Sequence, residues 1–131
     1  MKDILVPISP GELLDKITIL RIKSARMTDA AKLANVRLEL SLLEQTWREA
    51  VGSADVAEDE RGLQAVNERL WDIEDDIRDK ERAQAFDARF IELARSVYIE
   101  NDERAAIKKR VNVKLGSRIV EEKSYKPYRP A

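Results

Sequence analysis

The position of the prolines constrains the fold more than any other feature of this sequence. The chain has 131 residues, and its four prolines are Pro7, Pro10, Pro127 and Pro130. Proline lacks a backbone donor and clashes with the preceding helical turn, so it interrupts helices and central strands. Residues 11–126 contain no proline, so no proline interrupts a helix there. This predicts an all-α body between short extended termini.

Apolar periodicity and capping residues divide this body into a bundle of four or five helices, paired as antiparallel hairpins. Ser9, Pro10 and Glu12 form the S-x-x-E pattern of a capping box, so the first helix begins there. Asn101 and Asp102 leave open whether the last predicted range is one helix or two. The predicted helical ranges are 9–27, 29–51, 58–84 and 87–115.

The two ends of the chain differ in composition from the helical body. Residues 1–8 and 117–131 are expected to be extended arms of the same single domain. Their short β-branched runs would pair as a small ribbon, lie over a neighbouring surface or remain frayed. Residues 104–131 hold nine lysines and arginines against two glutamates. This basic end would contact the acidic remainder of the protein or an anionic partner.

The chain contains no cysteine and no histidine. This excludes disulfides, thiolate nucleophiles and histidine-based triads, and it removes the usual ligands of structural zinc. An enzyme built from this chain would depend on carboxylates, amines or hydroxyl groups. No apolar run reaches the roughly 18 residues that cross a bilayer, and the N-terminus does not resemble a signal peptide. We therefore expect a cytoplasmic protein without a membrane span.

The densest group of carboxylates lies in NERLWDIEDDIRDKE, residues 67–81. Asp75, Asp76 and Asp79 match the D-D-x-x-D spacing with which some enzymes hold magnesium against a diphosphate. Helix geometry, at about 100° per residue, instead turns most of these carboxylates away from the apolar stripe and favours a solvated surface. We call the resulting row the acidic ridge; it consists of Glu68, Asp72, Asp75 and Asp79.

Glu74 and Glu81 border the apolar stripe of the same helix, one heptad apart. They are therefore the better candidates for inward-facing metal ligands, and Mg²⁺ is the cation that such carboxylates suit. The alternative is that each pairs with an arginine or lysine of a neighbouring helix. Under the metal hypothesis, Lys16 or Lys23 would contact the phosphates of a substrate.

Three apolar residues lie outside the main stripes of their helices. Ile19 and Ile22 lie away from the principal face of the first helix, and Trp71 lies roughly 120° from the centre of its stripe. A helix that is apolar on several sides is usually contacted on several sides. We therefore predict that these three residues form an interface, most simply with a second chain in a homodimer. For Trp71, a terminal arm or a ligand groove are the alternatives.

Four stretches together resemble a family of small bacterial proteins classed as a domain of unknown function. They are SPGELLDKITIL (9–20), LWDIEDDIRDKE (70–81), FIELARSVYIENDERAAIKKRVN (90–112) and EEKSY (121–125). The resemblance spans nearly the whole chain and implies an independently folding helical unit. It also implies a link to surface-polysaccharide and glycosyltransferase genes. It implies no catalytic residues.

These observations favour a non-enzymatic binding or scaffold module with a protein partner and no cofactor. The first alternative is a Mg²⁺-dependent enzyme that acts on nucleotide or sugar diphosphates. The second is weak nucleic-acid binding through the basic C-terminal region. That region has no recognised motif and only Tyr125 and Tyr128 as aromatic residues, so nucleic acid is the less favoured partner.

Overall fold

The computed structural model describes residues 1–130 and confirms an all-α fold, with four helices. Each helix begins and ends within two residues of a predicted range. The range 87–115 forms a single helix, so no fifth helix is capped by Asn101 and Asp102. Among residues 1–130, no helix combines the length and apolar character needed to span a bilayer. The four helices are α1 (Pro10–Arg26), α2 (Ala30–Ala50), α3 (Ala57–Arg82) and α4 (Ala88–Lys114).

Side-chain caps fix the first residues of three helices. The Ser9 hydroxyl accepts a hydrogen bond from the backbone N–H of Glu12 at 3.2 Å, and Pro10 occupies the first turn of α1. Asp29 and Asp87 cap α2 and α4 in the same way. The predicted capping box forms only in part, because the carboxylate of Glu12 binds Lys108 of α4 at 2.6 Å. Glu12 therefore joins two helices in addition to lying in the first turn of one.

α1 is the central element, because it packs against each of the other three helices. Within residues 1–130, α2 has close backbone contacts with α1 alone, whereas α3 and α4 form a second hairpin that also contacts α1. The main apolar cluster lies where α1 meets this hairpin. Its buried members are Leu14, Val56, Leu63, Val66, Ile107 and Val111.

The apolar side chains on the different sides of α1 are covered mainly by the other helices of the same chain. Leu14 and Ile17 are each 1% exposed, and Ile22 is 3% exposed. Ile22 therefore needs no second chain to cover it. Three neighbouring helices already contact α1 from different sides, which accounts for an apolar pattern wider than one face.

Gly11 allows α1 and α4 to approach closely. A Cβ atom at this position would lie 2.3 Å from the backbone oxygen of Lys108, which has little freedom to move. The Gly11 N–H donates a hydrogen bond to the buried side-chain oxygen of Asn112 at 2.7 Å. The glycine in this stretch therefore serves helix–helix packing, and the start of α1 is held against the end of α4.

Neither terminus forms a strand within residues 1–130, so the ribbon alternative is wrong. Residues 1–8 are exposed, and Ile4 and Leu5 share a surface depression with α2. The C-terminal segment leaves α4 through Gly116, whose φ of +67° suits a residue without a Cβ atom. Ala131, the last residue of the predicted C-terminal arm, lies outside the described residues.

Candidate functional site

A groove of about 460 Å³ lies between α1, α3 and α4. Ligand sites are commonly concave, largely apolar, and supplied with a few polar groups, and this groove has that composition. Five apolar side chains line it, together with lysine, arginine, asparagine and carboxylate groups. We call it the three-helix groove. Its apolar lining consists of Ile19, Ile22, Leu70, Trp71 and Val97.

Trp71 is half-buried and lies beside the end of α1. The Arg26 guanidinium lies 5.8 Å from the centre of the indole ring, within the range of a cation–π contact. Arg26 also binds the carboxylate of Asp72 at 2.5 Å. These contacts join the last turn of α1 to the middle of α3. They hold Trp71 at the edge of the groove, where part of its surface stays open.

A buried polar network lies next to the groove. Asp15 is fully buried on α1, and its carboxylate accepts two hydrogen bonds from Arg104 of α4, one of them at 2.9 Å. The Asn67 side chain donates to both Asp15 and Thr18 at 2.9 Å. Arg104 and Asn67 also line the groove. Hydrogen bonds to α1 thus fix the positions of both side chains, as a preorganised binding surface requires.

Carboxylate partners keep Arg104 and the neighbouring Lys108 charged. The hydrogen bond to Asp15 raises the pKa of Arg104 above its ordinary value, against a smaller opposing effect of burial. Burial lowers the pKa of Lys108, but hydrogen bonds to Glu12 and Glu121 outweigh it and the pKa is raised. Charged partners of this kind stabilise the protonated form of each side chain. The side chains of Arg104 and Lys108 therefore stay protonated at neutral pH.

Two further charges in the groove make no ion pair within 4 Å among residues 1–130. Lys23 of α1 is half-buried and makes no ion pair within 4 Å, and Asp75 of α3 likewise makes none. Arg78, in contrast, pairs with Glu74 at 3.2 Å. Lys23 is therefore a groove cation without an ion pair, whereas Asp75 lies close enough to Arg26 to help raise the pKa of that guanidinium.

The structure brings four of the five predicted site residues to this groove. Ile19, Ile22, Trp71 and Glu74 all line it, although they were predicted as two unrelated sets. Ile19 and Trp71 are half-buried. Whether the groove beside Trp71 binds a ligand likewise stays a prediction. Whether any of these residues forms an interface with another chain stays a prediction.

Glu81 does not line the groove, and both Glu74 and Glu81 are exposed. Their predicted inward orientation is wrong, because the fully buried part of α3 ends at Asn67 and the later turns pack less completely. Among residues 1–130, no three carboxylates lie close enough together to hold a metal ion. A magnesium site at Glu74 and Glu81 stays a prediction without a third ligand group.

The basic C-terminal segment lies along α4 of its own chain. Its two glutamates pair with basic residues, Glu121 with Lys108 at 3.1 Å and Glu122 with Lys109 at 3.9 Å. Lys123 continues the contact toward Asp102, and the Tyr128 ring lies 5.4 Å from that of Tyr98. Among residues 1–130, this segment makes no ion pair with the four residues of the acidic ridge. Its acidic pair is attracted to the basic end of α4 instead.

The residues that the sequence analysis missed are Asp15, Asn67 and Arg104. A polar side chain on an apolar stripe is a detectable signal, since Asp15 follows Leu13 and Leu14 and precedes Ile17. Asn67 likewise follows Val66 and precedes Leu70. Which buried polar residues pair across helices depends on the packing of α1 against α4, which a single sequence does not provide.

Comparison with known proteins agrees with the resemblance seen in the sequence. Neither a curated protein nor a solved structure matches the chain significantly. A family model described as a family of unknown function (DUF6165) matches residues 4–129. The four stretches that carry the resemblance all lie within that match. The chain therefore belongs to this family of unknown function.

Proposed function

We propose that this protein is a non-enzymatic binding module and that the three-helix groove is its binding site. One observation carries the proposal. The half-buried Trp71 lies among apolar side chains, next to the buried and fully hydrogen-bonded network around Asp15. An apolar surface next to fixed polar groups provides affinity together with orientation. The expected role beside an enzyme of surface-polysaccharide assembly rests on the family resemblance alone.

The chemistry of the groove favours binding over turnover. Among the described residues 1–130, no serine, threonine or tyrosine hydroxyl lines the groove, and the sequence has no cysteine or histidine. The groove carboxylate nearest to a basic group, Glu74, is exposed and paired with Arg78. A general base is usually shielded from solvent, and its pKa is usually shifted toward neutral pH. The Mg²⁺-dependent alternative would rest on Glu74 with Lys23 as a phosphate contact.

A thermal-shift panel separates these two functions. Nucleotides and sugar nucleotides are added with and without Mg²⁺ or Mn²⁺, and each mixture is then analysed for products. A ligand at about 100 times its dissociation constant stabilises the folded protein by about 2.7 kcal/mol. The proposal expects no metal-dependent turnover of any compound. A metal-dependent shift accompanied by product formation would replace it with the enzyme hypothesis.

We also propose that the expected homodimer forms at a different surface from the one first inferred. The side chain of Leu5 is 90% exposed and that of Leu38 on α2 is 62% exposed. Leu5, Leu38 and Leu42 line one shared depression between the N-terminal arm and α2. Contiguous exposed apolar side chains often mark contacts between chains. These residues support the dimer better than Ile22, which its own chain covers.

A further inference from the structure

The three-helix groove continues the surface on which α1 itself lies. α1 packs against both helices of the α3–α4 hairpin, and its Leu14 belongs to the same cluster as Leu63 and Ile107. α1 ends at Arg26, next to Trp71 and Asp72, whereas α3 continues to Arg82. The hairpin thus already binds one helix along part of its length, and the groove lies beside the last two turns of that helix.

The α3 side of the groove has the length and periodicity of a helix-binding surface. It runs from Asn67 to Arg78, which corresponds to about 16 Å, or three helical turns, at ~1.5 Å per residue. Leu70, Trp71 and Glu74 lie on this one face at helical spacing. Helices that bind in grooves place apolar side chains at such intervals along one stripe.

The charges of the groove indicate which helix would fit. Lys23 makes no ion pair within residues 1–130, whereas each of the other three cations of α1 has an acidic partner. It lines the same groove as Ile19, Trp71 and Val97. A carboxylate next to the apolar stripe of an incoming helix would pair with this lysine and gain specificity from it.

We propose that the occupant of the three-helix groove is an amphipathic helix, about three turns long, from a different protein. Its apolar side chains contact Leu70, Trp71 and Val97, and an acidic residue beside them pairs with Lys23. This inference rests on the proposed function, because it names the partner of the same site. The bound helix would extend the contact that α1 already makes with the α3–α4 hairpin.

A displayed library of helix-stabilised peptides tests this inference on the full chain. The library varies the outward positions of a 15-residue helix and includes scrambled members of the same composition. Enriched peptides are then titrated against the Trp47→Phe variant, in which Trp71 is the only tryptophan and reports binding by fluorescence. We expect enrichment of apolar residues at i, i+3, i+4 and i+7 with an adjacent Asp or Glu.

Charge reversal provides the matched control. Lys23→Glu should weaken an enriched acidic helix by about tenfold, and a peptide with lysine at that position should regain the loss. Lys32→Glu makes the same change on the exposed surface of α2, outside the groove, and should leave binding unchanged. Equal loss in both variants, or equal binding of scrambled peptides, would overturn the assignment.

The test distinguishes this inference from the function on which it rests. If no helical peptide is enriched but small molecules bind the groove, the helix assignment is wrong and the binding function stands. If the full chain binds only a second copy of itself through Trp71, the inference of a different protein is wrong. If neither peptides nor small molecules bind there, both proposals fail.

Discussion

At the scale of single residues, the most consequential side chain is the buried carboxylate of Asp15. It is 0% exposed, and Arg104 and Asn67 satisfy it from two other helices. A buried ion pair adds little net stability compared with apolar residues, but removing one partner leaves an uncompensated charge. Asp15 therefore couples the packing of α1, α3 and α4 to the shape of the groove beside them.

We predict that Arg104→Met lowers the free energy of unfolding by about 3 kcal/mol, because the buried Asp15 loses both hydrogen bonds from its nearest cation and keeps only the Lys108 cation at 4.0 Å. Urea denaturation measures the change. Arg78→Met removes an exposed arginine from an ion pair in the same groove and should cost less than about 1 kcal/mol. Similar losses of unfolding free energy in both variants would show that the buried Asp15 network stabilises the fold no more than an exposed ion pair does.

Gly11→Ala should destabilise the protein by about 2 kcal/mol, because the added methyl group meets the backbone oxygen of Lys108. Gly62→Ala is the matched control. There the new atom would lie 3.2 Å from the mobile end of the Ile107 side chain, while helix propensity improves by ~1 kcal/mol. Thermal unfolding of the two variants compares them. A Gly11→Ala protein as stable as the Gly62→Ala protein would contradict the close approach of α1 and α4.

At the scale of secondary-structure elements, ion pairs hold the helix ends together. Asp59, in the first turn of α3, is buried and binds Arg110 at 3.0 Å and Lys114 at 2.8 Å in the last turns of α4. Burial alone raises the pKa of Asp59, but the hydrogen bonds from Lys114 and Arg110 outweigh it, so the pKa is lowered below 3.8. The charged form is therefore the one that stabilises the fold.

This lowered pKa predicts the direction of a pH effect. A carboxyl group whose pKa is lower in the folded state stabilises the protein above its unfolded pKa, and the stabilisation is lost as the pH falls through the folded pKa. Asp59→Asn should therefore destabilise the protein at pH 7, and the difference from wild type should shrink below pH 4. Denaturation at pH 7 and pH 3 measures this, with the exposed Asp76→Asn as control. A difference that stays constant with pH would contradict the ionised pair.

The helices themselves could be predicted from the sequence, because proline positions, caps and apolar spacing are local signals. Ser9, Asp29 and Asp87 each cap a helix that begins at the next residue. The groove could not be predicted in the same way. Its formation depends on how α1 packs against α3 and α4, and no local sequence signal specifies that arrangement. Trp71 and Ile19 were recognised as unusual, but their proximity was not.

At the scale of the whole molecule, α1 lies at the centre and α2 at the edge. α2 packs on α1 and leaves Leu38 and Leu42 exposed beside the N-terminal arm. The groove lies between α1, α3 and α4, and no residue of α2 lines it within residues 1–130. The molecule therefore has two candidate contact surfaces, one for a second copy and one for a different partner.

We predict that light scattering at high micromolar concentration detects a dimer and that Leu38→Glu with Leu42→Glu shifts it to monomer. Two charges in an apolar contact carry a desolvation cost that the dimer would not compensate. Ile91→Glu, at an equally exposed apolar position of α4, should leave the dimer intact. A wild-type chain that is strictly monomeric at these concentrations would rule out the homodimer.

The central claim is that the three-helix groove is the binding site, and fragment mapping by ¹H–¹⁵N NMR tests it most directly. A 15.0 kDa chain suits the method, and Trp71 contributes an indole N–H in the groove itself. A library of small apolar and carboxylate fragments is titrated into the full chain. We predict that the shifted resonances cluster at Trp71, Ile19 and Val97. Shifts that cluster elsewhere, or no saturable shifts at these residues, would contradict the claim.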